Sequence, residues 1–202
     1  MLSLWPIKKR TFWACKRHGF GDNARVMVKN VQRFVDGDAE AIVDARYLPI
    51  VVTSWFGTPT LGLANAFCEW YAAFVAEQGR AGKPLVFVND ATLAGRPSGE
   101  VRSRLAAAPT PEFVLDSLVV VTHPAVRGAA TAIRWMAGER MKMNFASDLP
   151  SALARALALL ERSKLTTARP LVAARYELPV VQRRRRSSRS EARAEATRPI
   201  AD

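Results

Sequence analysis

The stretch that most restricts how this chain can fold covers residues 83–105 and reads KPLVFVNDATLAGRPSGEVRSRL. A continuous apolar run over 85–88, behind Pro84, stops at Asn89 and Asp90, passes through small residues, and enters a helix after Pro97 and Ser98. Apolar character that is continuous rather than alternating marks a strand covered on both faces, as in parallel sheets flanked by helices. Polar groups follow at the strand's carboxyl end, where open α/β sheets bind ligands and partners.

The rest of the chain extends this pattern. Val26, Val28, Val31 and Phe34 form an imperfect strand ended by the turn signal Asp36, Gly37, Asp38, and residues 50–55 form a β-branched strand stopped by Gly57, Thr58 and Pro59. These two are expected to pair as an antiparallel hairpin with a long connection. Thr60 caps a helix over 61–78, where Leu63, Ala66, Phe67, Trp70, Tyr71, Phe74 and Val75 recur at three- and four-residue spacing, and Gly79 and Gly82 end it. The helix after Ser98 is short because Pro109 and Pro111 follow, although a turn can resume over 112–115. A buried strand over 117–122, a helix from Pro124 to about 138, a short strand over 141–145 and a helix over 151–161 behind Ser147 and Asp148 complete the series. Trp55, Trp70 and Trp135 fall within apolar patterns, so they read as core residues rather than a base-stacking platform. The alternation predicts an α/β fold, a single small domain with a four- to five-stranded mixed, mostly parallel sheet and about four helices.

Charge divides the chain into three parts. The formal net charge of +12 invites a nucleic-acid reading, yet residues 1–26 hold six Lys/Arg against one Asp, and 161–202 hold eleven against five acids. Between them, 27–160 carry thirteen basic and twelve acidic residues, so the expected domain is nearly neutral. A nucleic-acid reader would carry its basic face on the folded part. The organisation expected is a basic arm over 1–26, disordered or upstream of a true start at Met27, a domain over 27–164, and a basic disordered tail over 165–202 in which a small docking segment can form over 171–176. No run reaches the roughly 18–20 apolar residues of a membrane span, and Cys15 and Cys68 suggest neither a disulfide framework nor a metal knuckle. A reducing, cytoplasmic location is the expectation.

Catalytic signatures are sparse. The chain has no Gly-rich phosphate loop ending in Gly-Lys-Ser/Thr, and its two histidines, His18 and His123, leave a zinc site or a Ser-His-Asp triad almost without members. No catalytic residue, metal or cofactor is therefore assigned. The binding candidates are Asp90, Thr92, Ser98, Arg102 and Arg127, gathered near the carboxyl ends of the central strands. Thr92 is also a candidate phosphorylation site, where a phosphate would add roughly −1.5 to −2 charge to a partner-binding edge. All of them but Arg127 have a plainer role: Asp90 and Thr92, with Asn89, as turn formers, Ser98 as a helix cap with Glu100 in the first turn, and Arg102 as a local ion-pair partner.

Several phrases together resemble a known family. The segment VTSWFG over 52–57 ahead of a long helix, the strand ending in Asp90, PSGEVR over 97–102, the 119–121 strand before a helix bearing Arg127, and SDLPSA over 147–152 are similar to STAS-type domains, the fold of bacterial anti-sigma-factor antagonists, and in particular to the SpoIIAA-like or Sec14-like branch. The likeness covers about two-thirds of the chain. It implies a non-enzymatic module that binds a partner protein or sometimes a lipid-like or nucleotide ligand. Phospho-regulated members place Ser or Thr after the strand-ending Asp in Asp-Ser-Ser-Gly; here Ala91 and Leu93 replace the first Ser and the Gly.

The function expected is a cytoplasmic, non-enzymatic regulatory module that binds a partner protein through the strand-turn-helix surface around Asp90 to Arg102. The alternatives are a carrier of a small lipid-like ligand between sheet and helices, favoured by a large apolar pocket opening near Arg102 or Arg127 and removed by a filled core, and attachment to nucleic acid or an anionic membrane through Arg183, Arg184, Arg185 and Arg186.

Overall fold

A tight turn at Gly37, whose φ of 60° suits glycine, starts the sheet by reversing β1 (Val31–Asp36) directly into β2 (Ala39–Tyr47). The computed structural model describes residues 30–179. β2 pairs antiparallel with β1 and with β3 (Ile50–Gly57). The expected direct pairing of the first segment with 50–55 is therefore corrected: a whole strand lies between them. It escaped notice because its inward residues, Ala39, Ala41, Val43 and Ala45, are mostly alanine, a weak strand former.

Three crossovers then add strands in one direction. α1 (Leu61–Arg80) leads to β4 (Leu85–Ala94), α2 (Gly99–Ala106) to β5 (Val114–Val120) and α3 (Pro124–Ala137) to β6 (Met143–Ala146), all paired parallel. The six-stranded sheet has sequential order, and α4 (Leu149–Arg162) closes the α/β domain. Right-handed crossovers that all step the same way put their helices on one face. Accordingly Val51, Trp55 and Phe87 pack under α1, and Val119 and Val121 under α3, whereas Val52, Val86, Val88, Leu118 and Val120 meet α4 on the opposite face.

Local chemistry sets the element ends. Thr60 accepts from the Leu63 amide, Ser98 from Val101, the His123 ring from Ala125 and Asp148 from Ser151, so each α-helix begins on a side-chain cap. Gly57 has φ of 66°, and a Cβ there would lie 2.7 Å from the Asp38 carbonyl oxygen. The Gly57 carbonyl also accepts from the Gly95 amide, which draws β4 on alongside β3 to Ala94.

Two further expectations are corrected. Trp135 is 79% exposed and Met136 beside it is also exposed, so these two residues near the end of α3 face solvent rather than core. Residues 165–179 are not a loose tail. Leu165, Leu171, Ala173 and Tyr176 pack on the cluster beneath α4, Ala168 donates its amide to the Leu48 carbonyl, and the Arg46 guanidinium donates to the Glu177 carbonyl. This strap covers the β2–β3 end of the α4 face, close to the small docking segment considered over 171–176. The 1–26 arm and Arg183, Arg184, Arg185 and Arg186 lie outside the described residues. Among those described, no helix is long and apolar enough to cross a membrane.

A cavity beneath three helices as candidate functional site

β4 does not stop at Asn89 and Asp90 as expected but continues to Ala94, with an irregular register against β3 between Ser54 and Phe56. Asp90 and Thr92 therefore sit within a strand rather than on an exposed turn. The Asp90 carboxylate accepts from both the Thr92 amide, at 3.1 Å, and the Thr92 hydroxyl, at 2.7 Å. Ser98 caps α2, Arg102 donates to the Pro97 carbonyl at 3.0 Å, and the exposed Arg127 guanidinium lies 5.2 Å from the centre of the Phe145 ring. Only Asp90 and Thr92 bond one another. The two-residue strand period places Asp90 on the face of Val86 and Val88, covered by α4, while α2 and α3, which carry Ser98, Arg102 and Arg127, cover the other. The five candidates are thus divided by the sheet, and each has a local structural partner.

The feature that sequence reasoning missed lies under α1, α2 and α3. A partly open cavity of about 150 Å³ separates these helices from β3, β4, β5 and β6. Small side chains create it: Ala91, Ala94 and Gly95 on or after β4, Ala108 after α2 and Ala130 on α3 leave space that larger residues would fill. One wall is aromatic. Trp55 and Phe67 meet edge to face with centroids 4.8 Å apart, and Tyr71 and Phe87 meet at 5.1 Å. The other wall is aliphatic, with Val119, Val126, Ile133 and Met143 among its members.

Polar groups enter this space at two points. Asn89 and Ser117 stand on adjacent central strands, and the Asn89 amide donates to the Ser117 hydroxyl at 3.2 Å. Both remain partly accessible although strands flank them on each side, because the face they occupy looks into the cavity. Thr53, the register neighbour of Asn89 on β3, is wholly buried and its hydroxyl has no hydrogen-bond partner among the described residues. The second point is the Tyr71 hydroxyl with Thr110. Burial pushes the Tyr71 phenol up to about 12, the Thr110 hydroxyl partly offsetting it, so the phenol is neutral at physiological pH.

Among the described residues no Asp, Glu, His, Lys or Arg lines the cavity, and neither Arg102 nor Arg127 reaches it, although Val126, beside Arg127, does. Among the described residues no three His, Cys, Asp or Glu side chains gather as a metal ion would require. The site can hold an uncharged molecule by contact and by hydrogen bonds to Asn89 and Ser117. A hint was present in the sequence, since Asn89 and Ser117 are polar residues at the ends of apolar strand runs. The space itself was not legible, because it depends on which small residues come to face one another. Comparison with known proteins finds no matching family model and no matching curated protein.

Proposed function

We propose that this chain is a non-enzymatic binding module whose ligand is a small, mainly apolar molecule held between the sheet and α1, α2 and α3. The supporting observation is the cavity, whose walls are mainly apolar and, among the described residues, carry no charged side chain. A pocket of this kind, with a few convergent polar groups, is the usual form of a small-molecule site. General acid–base chemistry needs a titratable group within reach of the reacting atom, and among the described residues the one titratable side chain on these walls is Tyr71, held protonated. The STAS-type likeness belongs to the same proposal, supported by the long helix that follows the 52–57 phrase and the final helix that follows Ser147.

Toluene titrated into the protein and followed by methyl NMR tests this reading. Shifts are expected at Val119, Val126 and Ile133, which line the cavity, and Ala130→Leu is expected to abolish them by filling it. Wild-type protein whose cavity methyls ignore both toluene and 1-decanol would remove the proposal.

The expected partner-protein role is kept as a second reading, supported by the exposed pair Trp135 and Met136 on α3, since tryptophan and methionine are enriched at protein interfaces. Affinity purification with wild type, Trp135→Ser and Arg102→Ala tests it. A protein retained by wild type and lost with Trp135→Ser supports this surface, loss with Arg102→Ala alone favours the strand-turn-helix surface, and retention by both variants counts against either.

A further inference from the structure

Volume and polarity narrow the ligand further, on the premise that the cavity binds an apolar molecule. A partly open space of about 150 Å³ matches one benzene-sized ring better than a folded long acyl chain. The Trp55–Phe67 and Tyr71–Phe87 pairs line the space, and aromatic ligands gain from edge-to-face and offset contact with aromatic walls. Asn89 and Ser117 add a hydrogen-bonding corner. With the Asn89 amide donating to Ser117, the carboxamide oxygen, its second N–H and the Ser117 hydroxyl proton are left to a ligand, so both a donor and an acceptor are offered. Among the described residues no wall side chain carries a charge to balance an ionised carboxylate or ammonium, whose desolvation would oppose entry.

We propose that the cavity takes a small, uncharged aromatic molecule bearing one hydrogen-bonding substituent, of the phenol or indole class, with its ring between the aromatic and aliphatic walls and its substituent on Asn89 and Ser117. Asn89 and Ser117 then determine specificity, while Ala130 maintains the space.

Calorimetric titration of the full chain at pH 7 with phenol, toluene, benzoate and 1-decanol tests this, using wild type, Ser117→Ala, Asn89→Leu and Ala130→Leu. Phenol and toluene are expected to bind wild type, and benzoate is not. Ser117→Ala and Asn89→Leu are expected to weaken phenol by about tenfold while leaving toluene unchanged, the loss of a neutral hydrogen bond in a sheltered site. Unchanged toluene affinity also serves as the folding control, and Ser117→Ala, the milder change, carries the test if Asn89→Leu does not fold. Equal effects of these two substitutions on phenol and toluene, or none on either, would overturn the hydrogen-bonding corner. Benzoate matching phenol would overturn the requirement for an uncharged ligand. 1-Decanol binding without phenol or toluene would overturn the size assignment and leave the apolar-ligand function standing. Wild type that binds none of the four would remove that function as well.

Discussion

Asp44 is wholly buried on the face that α4 and the strap cover, and its carboxylate is held from two directions. Arg46 donates from Nε at 2.9 Å and Nη2 at 2.8 Å, and the Tyr176 hydroxyl donates at 3.1 Å. A buried charge that loses its counter-ion is costly, so Arg46→Met is expected to destabilise by about 3 kcal/mol in urea unfolding. Tyr176→Phe removes one hydrogen bond and is expected to cost about 1 kcal/mol. Burial and the nearby Asp44 charge raise the Tyr176 phenol above its ordinary value of 10.0. The unfolded chain therefore releases this proton at lower pH than the folded chain does. Its stabilising contribution is fully present below about pH 10 and is lost as pH rises towards the folded value. Thermal melts between pH 8 and pH 11 are expected to fall at the alkaline end, and less steeply in Tyr176→Phe. At Thr92 the hydroxyl already donates to Asp90, so Thr92→Glu places a carboxylate where a donor stood. A lower melting temperature that recovers in high salt is expected, because the added repulsion is screened. Ser98 was a binding candidate by position and is a helix cap by geometry; a one-dimensional pattern cannot tell a hydroxyl aimed at a partner from one aimed at the amide three residues on.

Among the elements, helices were easier to read than strands. α1 and α4 show their caps, apolar spacing and ends in the sequence because every one of those signals is local. β2 was not legible, since its alanines acquire meaning only when paired between β1 and β3. β4 outran its apolar run because pairing with β3, reinforced by the Gly95 to Gly57 hydrogen bond, rewards continued extension. The strap was legible only as a small docking segment over 171–176, for the same reason. Arg169, Pro170 and Glu177 look like solvated tail, yet Leu171 and Tyr176 have a surface waiting on the α4 face. A chain ending at Lys164 is expected to melt several degrees below one ending at Pro179, because the shorter chain uncovers Asp44 and the β2–β3 end of that face. Equal melting temperatures would show that the strap contributes nothing to stability.

At the level of the molecule, the sheet's two faces are filled unequally. The α4 face is sealed by Leu153, Leu160 and the strap against Val52, Val88 and Leu118, whereas the opposite face encloses the cavity. Pressure favours states with less internal void. Ala130→Leu is therefore expected to raise the pressure midpoint of unfolding, and toluene is expected to do the same in wild type but not in that variant. Periodicity, caps and turn residues determined the α/β class, the four helices and the parallel half of the sheet, because these depend on neighbours close in sequence. Tertiary structure alone decided the second strand, the extent and contacts of the strap, the separation of the five candidate residues and the cavity. Each of these depends on which distant side chains share a face and on whether their volumes fill the space between layers, and neither is written in any local stretch of chain.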